Sequence, residues 1–233
     1  MIQSLVFGFG HRARHGKDAA AAAIIERRAG NGPGWYDIRR YAFAKELKQE
    51  VVKNALGSGG MHRLFDDGLR IDGAGYMQTN GNVIALPDWV QYESNPDMTD
   101  PDCPLGKQRS LLQWWGTEYR RNADPDYWVK KVAKHIAEDN PEIALITDVR
   151  FPNELQFCME YGETIKVERR NPDGSLYAAP GVTKHASEEA LAWLPNSLWS
   201  AILTNDGTLE ELQEAAVQIF DRLLDKINDG TIY

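Results

Sequence analysis

Long apolar runs, cysteine and excess positive charge are all scarce in this 233-residue chain. No stretch approaches the ~20 apolar residues that a membrane-spanning helix needs, and Met1 to Gly10 lacks the basic start and extended apolar segment of a secretion signal. A cytoplasmic protein with no membrane partner is therefore expected. Cysteine occurs only at Cys103 and Cys158, which excludes a disulfide framework and a four-ligand zinc site. Lys and Arg number 26 against 34 Asp and Glu, a formal net charge of -8. Stable nucleic-acid binding along a broad cationic track is not expected from that balance, so any anionic ligand has to be held by local positive charge. Low-complexity, collagen-like and coiled-coil classes are excluded as well, since 42% hydrophobic and 26% charged residues describe an ordinary globular chain.

What is present alternates between strand-like and helix-like stretches. Gln3 to Phe7 is an apolar run short enough for a buried strand, and a glycine-containing turn follows it. Lys17 to Arg28, rich in alanine and closed by Gly30-Asn31-Gly32-Pro33-Gly34, reads as a helix. A second strand around Trp35 to Phe43 leads into a helix over 44–56, where Leu47, Val51, Val52 and Leu56 recur on one face. Residues 57–106 are rich in glycine and proline and poor in periodicity, which predicts an irregular insertion with at most a hairpin near Tyr76 to Leu86. Helices are expected over 111–119, 127–138 and 152–161, and strands over 142–147, ending at Asp148, and over 164–168. A short helix from Ser187, a strand over 200–204 and a long helix over 209–227 complete the chain. Such alternation implies an α/β fold, a parallel sheet flanked by helices and built as one domain.

The sharpest chemical signal is Gly8-Phe9-Gly10-His11-Arg12-Ala13-Arg14-His15-Gly16-Lys17-Asp18, between the first strand and the first helix. Successive backbone N–H groups and the positive end of a helix dipole can surround phosphate oxygens there, and Lys17 can reach the outer phosphates of a nucleotide. The general pattern G-x-x-x-x-G-K-[ST] is not met: His11 stands where its first glycine belongs, and Asp18 where Ser or Thr follows the lysine. A second reading takes Gly8, Gly10 and Ala13 as a dinucleotide turn with Asp37 as ribose acceptor, the arrangement of a nicotinamide-dependent oxidoreductase. It leaves Gly16-Lys17 and the convergence of Arg12, Arg14 and Lys17 without a purpose.

Further segments decide between them. Ala13-Arg14-His15-Gly16-Lys17-Asp18, Phe43-Ala44-Lys45-Glu46-Leu47-Lys48, Leu112-Gln113-Trp114-Trp115-Gly116-Thr117-Glu118-Tyr119-Arg120-Arg121, Asp148-Val149-Arg150-Phe151-Pro152-Asn153-Glu154, His185-Ala186-Ser187-Glu188 and Asn205-Asp206-Gly207 follow one another in this order. Together they resemble the motifs of the bacteriophage deoxynucleoside monophosphate kinases, in which Asp replaces the usual hydroxyl residue after the lysine. The resemblance implies a P-loop kinase fold with a helical acceptor region around 41–57 and 107–135 and a lid near 169–186. It also implies ATP as phosphoryl donor, Mg²⁺ as cofactor and small-molecule nucleotides as partners, in the host cytoplasm for a phage-encoded enzyme. A homodimer is compatible with it.

Residue by residue, the resemblance assigns Ala13, Arg14, His15, Gly16, Lys17 and Asp18 to ATP, with Asn205 beside its adenine. Lys17, Arg150 and Arg169 are the expected catalytic cations, since phosphoryl transfer needs mainly positioning and charge compensation. Asp18 and Asp148 are the expected Mg²⁺ partners; Asp18 also reads as a carboxylate favoured by the helix dipole, and Asp148 as a helix cap. The expected acceptor set is Phe43, Lys48, Gly116, Thr117, Arg121, Trp128, Asp148, Arg150 and Glu154. Within it Arg121 could instead make a surface ion pair, Lys48 (like Lys45) could be solvated, and Phe43 and Trp128 could be core aromatics. Glu168-Arg169-Arg170 reads either as part of a closing lid or as an ordinary charged loop, and Asn205-Asp206-Gly207 is first a turn signal. A related kinase acting on another acceptor, such as phosphomevalonate or a modified base in DNA, would share the donor residues.

Overall fold

The computed structural model describes residues 2–30, 34–57, 76–79, 82–90, 98–100, 102–103, 106–178 and 189–230. They fall into two compact units, Met1–Phe43 with Val129–Tyr233, and Ala44–Trp128.

The first unit is built on a five-stranded sheet with the order β2-β5-β1-β6-β7, every pairing parallel. Its strands are β1 (Leu5–Gly10), β2 (Ile38–Tyr41), β5 (Ile143–Val149), β6 (Gly162–Arg169) and β7 (Ala201–Asn205). Parallel strands need crossovers; α1 (Lys17–Arg28) lies between β1 and β2 and α5 (Pro152–Tyr161) between β5 and β6, while α6 (Leu209–Asn228) follows β7 and packs on the sheet. Phe7, Phe9, Leu145, Ile165 and Val167 form one core with Ala20, Ile24, Phe220 and Leu223 of α1 and α6. The α/β class, the parallel sheet and the flanking helices are as the sequence predicts.

One local expectation is overturned. Gly8 and Gly10 do not make a turn; β1 runs through both. A side chain at Gly8 would lie 2.5 Å from Cys158 Sγ of α5, and one at Gly10 would lie 2.3 Å from the Trp199 ring. The glycines therefore serve close packing on the face of β1 opposite Phe7 and Phe9, which is the strand use of glycine. A dinucleotide turn would have needed the same two residues as bends. The last helix starts as a capping box, Thr208 Oγ1 accepting from Glu211 N–H and Glu211 Oε2 accepting from Thr208 N–H.

The second unit contains most of α2 (Phe43–Gly57), the hairpin of β3 (Tyr76–Thr79) with β4 (Asn82–Ala85), and α3 (Arg109–Gln113). α3 continues as a π-helical segment, Trp114–Arg121. At the centre of this unit the buried Glu50 carboxylate accepts from Trp115 Nε1, Arg120 Nε and Tyr127 OH at 2.9, 2.6 and 2.6 Å. Burial and the bond to Glu50 push the Tyr127 phenol up to about 12. Tyr127 opens α4 (Tyr127–Asp139), which leads back into the sheet. Most of the expected insertion 57–106, and the helix expected from Ser187, lie outside the described residues.

Phe220 is fully buried, its ring 4.7 Å from that of Phe7. Phe220→Ala should cost about 3–5 kcal/mol of stability, the usual loss for a core phenylalanine. Urea denaturation checks this; a loss below about 1 kcal/mol would mean that the α6 face of the sheet is not the core that holds the unit together.

Candidate functional site

The carboxyl end of β1 lies between two others, Gly10 being in register with Val149 of β5 and with Lys166 of β6. Arg169, at the end of β6, is in register with Asn205 of β7. Ligands of open α/β sheets bind along this edge, and all the chemistry-bearing segments of the first unit end there.

The loop 11–16 bends through left-handed backbone at His11 (φ 91°), Arg14 (φ 58°) and Gly16 (φ 103°). His11, which replaces the loop's first glycine in the general pattern, thus adopts a conformation that glycine would take without strain. Gly16 is also required sterically, because a side chain there would lie 2.7 Å from Leu212 and 2.9 Å from Asn205 Nδ2. It is the N-cap of α1 and offers no side chain to the helix's first N–H groups. Lys17, buried, turns back so that Nζ donates to the carbonyls of Arg12 at 2.5 Å and His11 at 3.4 Å. His11 Nδ1 and Arg12 Nε are buried with no hydrogen-bond partner among the described residues. Arg14 is exposed.

His15 is completely buried, its ring between the loop and β6. Asn205 Nδ2 donates to the His15 carbonyl at 2.9 Å, so Asn205 braces the loop. Burial lowers the pKa of His15, and that of His11 falls to about 4 through burial and the charges of Lys166, His15 and Arg12. Both rings are therefore neutral near pH 7 and leave the positive charge to Arg12, Arg14 and Lys17. The Asp18 side chain is 78% exposed and lies 3.9 Å from Arg40.

Asp148 Oδ1 accepts from the N–H of Phe43, the first residue of α2, at 2.9 Å. The Glu154 carboxylate, buried, accepts from the N–H groups of Arg150 and Phe151 at 2.7 and 3.0 Å. It fixes the backbone turn that carries Arg150. From the expected lid, residues 169–178 form a tight hairpin in which Arg170 bridges Leu176 and the turn closes through Asn171 and Ser175. The Arg169 guanidinium lies 4.3 Å over the Tyr177 ring. Residues 179–186 and His185-Ala186-Ser187-Glu188 fall outside the described residues.

The sequence reading gave Lys166 no role and took Glu168, the end of the expected strand, only as the start of a lid or charged loop. Lys166 Nζ meets Glu168 Oε1 at 2.8 Å and Asn196 Oδ1 at 2.7 Å, and Arg170 meets Glu168 Oε2 at 2.6 Å. Burial alone would raise the Glu168 pKa, but the bonds and charges of Lys166 and Arg170 outweigh it and hold the carboxylate low. Opposite charges at alternate positions 166, 168 and 170 were the available signal, since they share one face of a strand.

In the second unit, Lys48 Nζ is paired with Asp100 at 2.6 Å. Trp128 Nε1 donates to the Gly116 carbonyl at 3.0 Å; Trp128 and, in the first unit, Phe43 are deeply buried. Arg120 is bound to Glu50 and lies over the rings of Trp115, Tyr119 and Tyr127 at 4.8–5.1 Å. Thr117 and Arg121 lie on the π-helical segment, with Arg121 Nη1 3.5 Å from the Pro125 carbonyl.

Residues 107–216 match the family model described as Deoxynucleotide monophosphate kinase. The resemblance read from the motifs is borne out. A curated relative, the deoxynucleoside-5'-monophosphate kinase of Escherichia phage T5, is 43% identical over 53 residues, 22% of this chain and 21% of that enzyme. The chain thus aligns with about a fifth of the length of that kinase. Of the segments that resemble deoxynucleoside monophosphate kinases, those at 112–121, 148–154, 185–188 and 205–207 lie within the matched range; the loop at 13–18 and the segment at 43–48 precede it.

The neutral His11 links stability to pH. Its pKa in the folded protein, about 4, is below the unfolded 6.5, so the unfolded chain binds more protons between these values. The contribution is fully present above about pH 6.5 and is lost as the pH falls toward 4. In thermal unfolding, His11→Gln should show a shallower fall of Tm over this window than the unmodified protein; parallel curves would mean that His11 is not neutral in the folded state.

Proposed function

We propose that the protein transfers the γ-phosphoryl group of ATP to a deoxynucleoside monophosphate, releasing ADP and the deoxynucleoside diphosphate. The observation that carries this reading is the loop between β1 and α1. It combines an uncapped helix N-terminus, a lysine turned into the loop and a buried Arg12 Nε with no partner among the described residues. A desolvated cationic donor without a partner is costly, and an anionic ligand relieves that cost. The match to deoxynucleotide monophosphate kinases supports the choice of acceptor.

In this reading Ala13 to Asp18 hold the donor's phosphates, with Lys17 exchanging the carbonyls of His11 and Arg12 for phosphate oxygens. Asn205 acts through its bond to the His15 carbonyl, bracing the loop. An oxygen of the acceptor's phosphate attacks the γ phosphorus, and the bond from that phosphorus to the ADP oxygen breaks. Charge moves onto the ADP oxygen, so cations around it stabilise the transition state. Lys17, Arg150 and Arg169 supply that compensation. Mg²⁺ would neutralise charge on the outer phosphates, and because it takes few protein carboxylates and keeps several waters, Asp148 and Asp18 suffice as candidate partners. Asp148, half-buried and fixed by Phe43 N–H, fits better than the exposed Asp18.

For the acceptor's phosphate the first unit offers Arg150, whose backbone Glu154 holds in place, and the second unit offers Arg121. Lys48, Gly116 and Thr117 are the second unit's further acceptor candidates, while Phe43 in the first unit and Trp128 in the second are buried and present no stacking face. Free nucleotides are cytoplasmic, which sets the compartment. Among the described residues no helix is long and apolar enough to cross a membrane.

The test is ADP release in a coupled assay over deoxy- and ribonucleoside monophosphates, with single-stranded and duplex DNA carrying modified pyrimidines in parallel. Turnover with a deoxynucleoside monophosphate is expected; transfer to DNA alone would replace the acceptor. Lys17→Ala should remain folded and lose several kcal/mol of transition-state stabilisation, on the order of a thousandfold in rate. Arg150→Ala should impair turnover or acceptor KM far more than ATP affinity, and equal weakening of both substrates with unchanged kcat would remove Arg150 from this role.

A further inference from the structure

His15 occupies the variable place of the Ala-Arg-x-Gly-Lys-Asp segment, yet nothing about it is incidental. Its ring has no exposed surface. Nδ1 lies 3.1 Å from the Arg169 N–H nitrogen and also 3.1 Å from the Val167 carbonyl, and Nε2 lies 3.0 Å from the Tyr177 carbonyl. A neutral imidazole has one N–H and one acceptor nitrogen. The assignment that satisfies both strand and hairpin puts the proton on Nε2, donating to the Tyr177 carbonyl, and leaves Nδ1 to accept from Arg169 N–H.

The Arg169 backbone is thereby held twice, its N–H by His15 and its carbonyl by Tyr177 N–H at 2.9 Å. Its guanidinium lies over the Tyr177 ring, and the Tyr177 carbonyl is itself tied to His15. On the loop side, Asn205 binds the His15 carbonyl while its own carbonyl accepts from Arg170 N–H at 3.0 Å. The phosphate loop, the end of β6 and the hairpin are cross-linked through one ring.

We propose that His15 is a positioning residue that fastens Arg169 to the phosphate loop, so that the arginine keeps a fixed place relative to Lys17. The part played by Arg169 in transfer rests on the function proposed above; the fastening itself does not. His15→Phe preserves the ring's shape and removes both hydrogen bonds. His15→Gln keeps an acceptor and a donor on one terminal amide. Arg169→Ala removes the guanidinium but keeps the amide N–H.

Displacing a reacting-site group by an ångström costs on the order of 100-fold in rate, so His15→Phe should lower kcat by about that factor with KM for ATP changed far less. His15→Gln should restore most of the rate. The decisive comparison is the double variant: added to Arg169→Ala, His15→Phe should produce no further loss, because it acts through the arginine. Losses that multiply would overturn the proposal. Hydrogen exchange at the residue 169 amide gives a readout without catalysis: it should speed up about tenfold in His15→Phe and stay slow in Arg169→Ala. An unchanged exchange rate in His15→Phe would overturn the proposal even if activity fell. Should His15→Phe not fold, His15→Asn, too short to reach both partners, takes its place in both measurements. A wild-type protein that phosphorylates no monophosphate, yet shows the exchange effect, would sink the proposed reaction and leave the fastening intact.

Discussion

The close approach of other elements to β1 is the constraint on which the rest depends. With no side chains at Gly8 and Gly10, one face of this strand admits Cys158 of α5 and the Trp199 ring at distances that a Cβ would forbid. The opposite face, carrying Phe7 and Phe9, can then be wholly apolar and pack on α1 and α6. Buried on both faces, β1 takes the middle of the sheet with β5 and β6 on either side. The consequence for chemistry is geometric: the carboxyl ends of β5 and β6, which carry Asp148 and Arg169 with Arg150 just beyond β5, lie on either side of the carboxyl end of β1, where the loop begins.

Charge in the first unit is arranged so that an acidic protein presents a cationic loop. Both histidines of the loop are kept neutral by burial, which spares Lys17, Arg12 and Arg14 from further like-charge repulsion. Lys166 beside His11 would add to that repulsion if it were unpaired, but Glu168 takes its charge and that of Arg170 together. A buried ion pair of this kind contributes little net stability and much positional definition, because removing either partner strands the other. Positive charge is thereby concentrated on the loop and on Arg169, whose guanidinium rests on the Tyr177 ring.

The parts legible in the sequence were those governed by local rules. α1 was found at its observed limits from alanine content and a glycine-rich end, α6 from its periodicity and the turn before Thr208, and the β3–β4 hairpin from its place in a glycine-rich stretch. What failed depended on partners distant in sequence. Gly8 and Gly10 look like a turn unless Cys158 and Trp199 are known to press on them. The motif assigns His15 to ATP, but nothing in the sequence announces the bonds of its ring to β6 and Tyr177, 152 and 162 residues away. The helix expected over 111–119 exists, but nothing in its periodicity announced a π-helical continuation through Arg121.

That π-helical segment gives two neighbouring arginines different surroundings. Arg120 and Arg121 are neighbours, and composition offers no reason to prefer one. Glu50 resolves the choice: buried and already accepting from Trp115 and Tyr127, it needs a cation, and Arg120 supplies it while three aromatic rings surround the guanidinium. A group held by a carboxylate and three ring faces is costly to withdraw for a transient substrate. Arg121 stands at the next position of the wider turn and is half-exposed. Wide helical turns of this kind are commonly found where a helix gives up regular bonding to aim a side chain. Packing thus gives two neighbouring arginines different settings, Arg120 locked to Glu50 and three rings within the second unit, and Arg121 half-exposed on the π-helical segment.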